Sequence, residues 1–415
     1  MKAEIVIVGS GAGGATLAKE LTKQGRKVVI IEKGSRVKKL GGKVRSAIKL
    51  YDRFGLFLKS KEGVVIYRTI AVGGTTLVSC GNMVRSLQKE FLDLGVDLEE
   101  SFIEAEKEIG ITSVPKKFIL CGSKIITGIA NGISYKMAPM PKGVDFSKCN
   151  SCGNCVLGCN CGAKWTSEDY INQTVSQGAI LKTKTEVDEI LISDGKAIGI
   201  RAGHEKIMAD SIVLCAGALA TPVILQKSGI SAGKRLFCDL FTVVYMNTRN
   251  LNQLKGITMA TVNHEFYESE RFILSPFVDP WLALFFSTHG HRISRENILG
   301  IMVKIADESE GEVFSNGKFA KKVTRHDMRR LNMGESIAKE ILVQAGGEAD
   351  SVFITPPRGA HPGGTAAIGE VVNNNLETEI KNLFVCDASV LPIAPGLPPI
   401  LTIVALAKWF AKRLL

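Results

Sequence analysis

The hydrophobic pattern changes period early in the chain. Ala3–Val8 (AEIVIV) is a continuous β-branched run, as a parallel strand needs when both of its faces are covered. After the glycines that follow, the period lengthens: Leu17, Ala18 and Leu21 share one face of a helix, which Gly25 ends. Lys27–Ile31 (KVVII) predicts a second strand. Val187–Ser193, Lys196–Ala202 after an Asp194-Gly195 turn, and Ile212–Leu214 read as three more strands. Asn382–Cys386 (NLFVC) predicts a last one, and a helix begins near Ile400. Trp409, Phe410 and Leu414, set among Lys408, Lys412 and Arg413, mark that helix as core-facing and amphipathic rather than as a membrane-surface helix.

Two apolar stretches invite a membrane or secretory reading. Residues 388–407 carry no charge, but Pro392, Pro395, Gly396, Pro398 and Pro399 interrupt them, so the run falls short of the roughly 20 regular residues a bilayer demands. The N-terminal stretch superficially resembles a secretory signal, yet strand, turn and helix account for it. The expectation is a cytoplasmic protein with no transmembrane segment.

The chain has 415 residues, 45% hydrophobic and 22% charged, which excludes a disordered or collagen-like chain and suits two or three packed units. Its formal net charge of +11 is scattered, so it predicts a solvated basic surface or an anionic cofactor, and no nucleic-acid partner. Five of the ten cysteines fall between Cys149 and Cys161, which points to a cofactor or metal rather than to a disulfide framework.

Gly9-Ser10-Gly11-Ala12-Gly13-Gly14 joins the first strand to the first helix, and Glu32 ends the second strand. In this context the glycines are a dinucleotide fingerprint: Gly9 for the tight turn, Gly11 for close approach of a pyrophosphate, Gly14 for helix–strand packing. The helix N-terminus after this turn offers free N–H groups to phosphate. Glu32 would accept from the ribose hydroxyls and disfavour a 2′-phosphate. The motif itself fits FAD and NAD alike.

Five segments in order resemble the glucose–methanol–choline (GMC) oxidoreductases. They are the fingerprint with Glu32; Gly73-Gly74-Thr75-Thr76; Gly217-Ala218-Leu219-Ala220-Thr221-Pro222; His361-Pro362-Gly363-Gly364-Thr365; and Asn382–Ser389 continued by Pro399-Ile400-Leu401-Thr402. Residues 86–148 and 239–345 show no clear match. The resemblance implies an α/β fold: a Rossmann-like, two-part, glutathione-reductase-like FAD-binding domain with a smaller α+β substrate domain. It implies residues 1–235 for FAD binding (with a Cys-rich loop at 149–164), 236–350 for substrate, and 351–415 returning to the FAD domain. FAD would meet Gly9, Gly11, Ala12, Gly14 and Glu32, then Gly73, Gly74 and Thr75, then Val187, Ala216 and Gly217, and finally Asp387, Ala388, Pro399 and Ile400. Asp387 would bind the ribityl chain, with helix or turn capping as the alternative. The helix from Ile400 would turn its positive end to the flavin.

The resemblance also implies that His361 is the catalytic residue, taking the hydroxyl proton of an alcohol as hydride leaves carbon. The family's second His or Asn aligns with Pro398, which has no side-chain donor or acceptor. His289 and His291 are the nearby spares, each equally well an ordinary loop residue. Seven aromatic residues between Phe266 and Phe286 suggest an apolar substrate wall or, alternatively, the core of the substrate-domain sheet.

Cys149, Cys152, Cys155 and Cys159 have the spacing C-x2-C-x2-C-x3-C, used by bacterial ferredoxins for [4Fe–4S], although Asn160 stands where Pro is usual. Cys161 or Cys121 are alternative fourth ligands, and zinc, disulfides or metal-free thiols are alternative states. The loop also resembles the Cys-rich loop of the family's long-chain alcohol and sterol branch. Together these features predict an FAD-dependent alcohol dehydrogenase or oxidoreductase that passes electrons to an external acceptor. A flavin-dependent C=C or C=O reductase and a non-catalytic flavin/iron–sulfur electron-transfer subunit are the rival readings.

Overall fold

The computed structural model describes residues 2–37, 40–41, 50–55, 58–249, 251–279 and 296–414. Lys2–Val8 is central in a seven-stranded sheet, hydrogen-bonded in parallel to Val28–Ile31 on one side and to Glu205–Leu214 on the other. Ile5, Val6 and Ile7 are fully buried, because the helix Ala12–Lys23 packs over the strand they form. Ile180–Lys182 extends the sheet in parallel beyond Val28–Ile31.

The far edge of Glu205–Leu214 is shared. Its first half pairs antiparallel with Lys196–Ala202, which pairs in turn with Glu189–Ser193; its second half pairs in parallel with Leu383–Val385. This strand starts seven residues before the expected Ile212, because its first half alternates exposed and buried positions and lacks a continuous apolar run. Val187 precedes the strand Glu189–Ser193 rather than opening it. The C-terminal helix, Ile400–Ala411, is buried along nearly its whole length, and Lys408 is fixed by Glu20 and Glu108 at 2.7 Å each. No helix among the described residues is long and apolar enough to cross a membrane.

A second, eight-stranded sheet is mostly antiparallel. Its middle strands are Leu240–Asn247 and Ile298–Ile305, with Phe241 opposite Lys304. It reaches beyond residues 236–350, recruiting Val65–Ile66, Met137–Pro139, Phe353–Ile354 and Arg358–Gly359. Side chains alternate in period two. Leu240, Val244, Leu299, Ile301 and Val303 pack under the long helix Arg325–Gln344, which Thr324 and Asp327 cap. Phe241, Val243, Ile298 and Met302 belong to the opposite face and a separate core. Lys304 shares the parity of Ile298 and Met302, so strand geometry puts its ammonium group on that second face.

Candidate active site

One cavity of about 680 Å³ is lined by both halves of the molecule. Gly9–Gly13, Glu32, Val187, Ala216, Gly217, Asp387 and Ala388 come from the first sheet and its turns. Gly9 has φ +108°, and a Cβ there would meet the Cys215 carbonyl oxygen at 2.2 Å; a Cβ on Gly14 would meet the Gly9 oxygen at 2.1 Å. At Gly11 a Cβ would meet nothing within 4 Å, so the turn is open on that side. These are the demands of a nucleotide-binding turn: tight against the sheet, open to the ligand.

Glu32 is buried and holds that turn in shape. Its carboxylate accepts from Ser10 N (3.1 Å), Ser10 Oγ (2.6 Å) and Gly34 N (2.6 Å). Ser10 Oγ also accepts from Gly73 N at 3.2 Å, which ties the Gly73-Gly74 loop to the fingerprint. Gly74 and Thr75 line the cavity beside it. Asp387 accepts from Gly217 N (2.8 Å), Thr221 Oγ1 (2.6 Å), and the N–H and hydroxyl of Ser389. Those four bonds fill the acceptor capacity of a carboxylate. Asp387 both lines the cavity and ties Gly217 and Thr221 to Ser389.

His361 reaches the cavity through backbone pairing. Its N–H donates to Cys238 O at 3.0 Å, and Gly363 and Phe237 exchange hydrogen bonds at 3.1 and 3.3 Å. This pairing brings His361 beside Asp239, whose Oδ2 is 3.0 Å from His361 Nδ1. Lys304 Nζ lies 2.7 Å from the same nitrogen and 3.5 Å from Asp239 Oδ2. Asp239 Oδ1 accepts from Gly396 N at 2.8 Å, so its carboxylate is held from both ends. Burial, then the nearby Lys304 charge, pushes His361 down to about 4 against the opposing pull of Asp239. Burial likewise pushes Lys304 down, in spite of Asp239. Pro398, Pro399 and Ile400 line the same cavity. Pro399 is the N-cap residue of helix Ile400–Ala411 and no side chain caps that end, so its partial positive charge is unshielded there.

Tyr51, Tyr67, Phe241, Met259, Phe277 and Met302 form an apolar and aromatic part of the wall, which elsewhere carries Arg53, Arg68, Asn82 and Asp279. Tyr67 and Asp279 are positioned by the fully buried Arg358, whose Nη1 donates to them at 2.7 and 2.6 Å. Of the aromatic cluster noted in the sequence, Phe277 lines the cavity, whereas Phe266 and Phe272 stack on each other in the core under the long helix. Trp281, Phe285, Phe286, His289 and His291 lie outside the described residues.

The Cys-rich loop does not build the expected metal cradle. Among the described residues, no three His, Cys, Asp or Glu side chains form a group that could hold a metal ion, so Cys149, Cys152, Cys155 and Cys159 are not assigned as ligands. The loop is fixed by other means. Cys152 bridges to Gly256, Cys159 Sγ and Cys161 Sγ are 3.5 Å apart, and burial pushes Cys149 and Cys152 up toward neutral thiols. Buried Lys164 supplies the local cation, donating to Leu77 O (2.9 Å), Ser79 O (2.7 Å) and Cys155 O (3.1 Å). The cysteine spacing is thus compatible with a loop pinned to its neighbours by an ammonium group.

Comparison with known proteins agrees with this geometry. The family model for the GMC oxidoreductases matches residues 3–241, and its C-terminal counterpart matches residues 318–407. The chain belongs to the GMC oxidoreductase family. Among GMC-related sequences, an uncharacterized protein of Methanocaldococcus jannaschii is 30% identical over 99% of this chain and 100% of its own length. A long-chain-alcohol oxidase of Arabidopsis thaliana is 25% identical over 100% of this chain and 68% of its own. The GMC fold is also that of the pyridoxine 4-oxidase from Mesorbium loti, at 16% identity, TM-score 0.78 and 99% coverage of both chains.

Lys304 and Asp239 are the site residues that motif reading missed. Each left a signal. Lys304 is the one charge in the otherwise apolar strand Ile298–Ile305, and a charge pointing into a buried sheet face demands a partner. Asp239 stands alone in the apolar run from Leu236 to Val244, apart from Thr242, and holds a left-handed φ of +47°.

Proposed function

We propose that this protein binds FAD and uses it to oxidise the CH–OH group of an apolar alcohol to a carbonyl. The carrying observation is that a single cavity is lined by the fingerprint turn with Glu32 and by His361 with Lys304. The residues suit the cofactor: Gly11 is open, and Thr69 Oγ1, which lines the cavity, is buried without a partner among the described residues. In this reading Gly9–Gly14 and the start of helix Ala12–Lys23 hold the pyrophosphate. Glu32 and Val187 flank the adenosine, and Gly73–Thr75, Ala216-Gly217 and Asp387-Ala388 flank the rest of the cofactor.

Bound FAD supplies the two-electron acceptor. His361, neutral at ordinary pH, takes the hydroxyl proton. The unshielded end of helix Ile400–Ala411 stabilises negative charge developing in the cavity. Tyr51, Tyr67, Phe241, Met259, Phe277 and Met302 exclude water and favour an apolar substrate. The likeness to long-chain-alcohol oxidases supports the same class of substrate.

The test has two stages. Heating should release FAD, identifiable by chromatography. Anaerobic mixing with primary alcohols of increasing chain length should then bleach the flavin, fastest with the longer ones. Release of a nicotinamide nucleotide alone, or a flavin that no alcohol bleaches, overturns the proposal.

A further inference from the structure

His361 Nδ1 faces two groups with opposite demands. An ammonium on Lys304, at 2.7 Å, requires a lone pair on that nitrogen; a carboxylate on Asp239, at 3.0 Å, requires a proton there. Both demands are met when Nδ1 carries its proton toward Asp239 and Lys304 is a neutral amine with its lone pair turned to the ring. Nε2 is then free to accept. The charged and titratable groups bearing on Lys304 are Asp239, Cys80 and Asp307, and those bearing on His361 are Lys304 and Asp239. The Lys304 and Asp239 side chains are nearly or fully buried, and Lys304 meets the cavity beside His361.

We infer that Lys304 is the second proton acceptor of the site, taking the Nδ1 proton of His361 as His361 Nε2 takes the proton of the substrate hydroxyl, with Asp239 stabilising the ammonium so formed. The inference rests on the alcohol-oxidising reading above. The substrate O–H bond breaks as Nε2–H forms, and Nδ1–H breaks as Nζ–H forms. The electron pair of the C–H bond leaves as hydride, with the flavin as oxidant, and the carbonyl remains. The ring ends neutral, with its proton moved from one nitrogen to the other. Lys304 acts through His361 and is a positioning residue in this scheme. It stands in for the side chain that Pro398 cannot provide.

The experiment uses the FAD-loaded protein with nitrogen-labelled histidine, His361 being assigned by the signal lost in His361→Asn. At the low pH where the His361 ring titrates, Lys304 has already taken a proton, so Lys304→Met should move that titration up by about one pH unit, and Asp239→Asn should move it down. Flavin reduction by the best alcohol of the panel should slow roughly 10- to 100-fold in Lys304→Met. Lys304→Arg should be slow as well, because a guanidinium keeps the charge but cannot take the proton. The charge-balanced double variant Asp239→Asn/Lys304→Met guards against loss of the fold and should also be slow with FAD bound. Wild-type reduction rates in Lys304→Met and the double variant, or an unmoved His361 titration, would overturn the inference. A moved titration in a protein that no alcohol reduces would sink the alcohol reading and preserve the coupling of Lys304 to His361.

Discussion

Two buried lysine–aspartate pairs lie close together in the chain and behave in opposite ways. Lys321 and Asp307 are both fully buried and meet at 2.6 Å. Lys321 also donates to Glu308 O, and Asp307 accepts from the N–H groups of Cys238 and Leu240. Burial pulls Lys321 down, but the carboxylate at contact distance outweighs it and the net direction is up. Lys304 and Asp239 are as deeply buried but 3.5 Å apart, and for Lys304 burial wins. The first pair clamps the turn after Ile305 to Cys238 and Leu240, at the start of the strand Leu240–Asn247. The second leaves Lys304 beyond contact distance of its carboxylate and beside His361, at the wall of the cavity. Burial also pushes Asp307 up to about 6 in spite of Lys321, so what separates the two sites is that Lys304 lines the cavity beside His361.

The sharpest way to test that contrast is at the open pair. His361→Ala should slow flavin reduction about 10²- to 10⁴-fold with FAD still bound, as loss of a positioned acid–base group does. Stopped-flow reduction rates and the flavin spectrum of the purified variant check both parts. At the closed pair, Lys321→Met should strand the Asp307 carboxylate and cost about 3–5 kcal/mol in urea unfolding. Its effect should fall on stability alone: if it moves the pH profile of flavin reduction as Lys304→Met does, the two pairs are not different in kind.

A pH effect comes next. His361 is held at about 4 when folded against 6.5 when free, so the native state binds its proton less readily. Its stabilising share is complete above pH 6.5 and is lost as pH falls through 4, a difference of about 3 kcal/mol. Urea unfolding at pH 7 and pH 4 should show the wild type losing that much more than His361→Gln. The smallest effect belongs beside the closed pair. Thr324→Ala removes the cap that accepts from Asp327 N and should cost about 1 kcal/mol, leaving the His361 titration in place.

How far the chain could be read in advance follows the range of the forces involved. The fingerprint from Gly9 to Gly14 was legible because turn, phosphate site and helix start are set by neighbours in sequence. Asp387 was legible in position; its four hydrogen bonds to Gly217, Thr221 and Ser389 were not, since Gly217 and Thr221 come from a distant stretch. Lys304 and Asp239 escaped because their meaning depends on a cross-strand register and on a loop that returns from residue 361. The cysteine spacing was legible only as a spacing. It records distances along the chain, and the loop's geometry is decided by contacts with Leu77, Ser79 and Gly256 that no spacing encodes.

The return of the chain to its first sheet also constrains how the protein is made. Leu214 ends a strand whose partner begins at Leu383, and the helix that covers Glu20 and Glu108 comes later still. A ribosome adding roughly 5–20 residues per second needs about 8–34 seconds to span that gap. Throughout that interval the nascent nucleotide half has a bare sheet edge beyond Ile212. The part of the cavity wall formed by Asp387, Ala388 and Pro398–Ile400 is therefore made last, and a chain that stops before residue 383 lacks it.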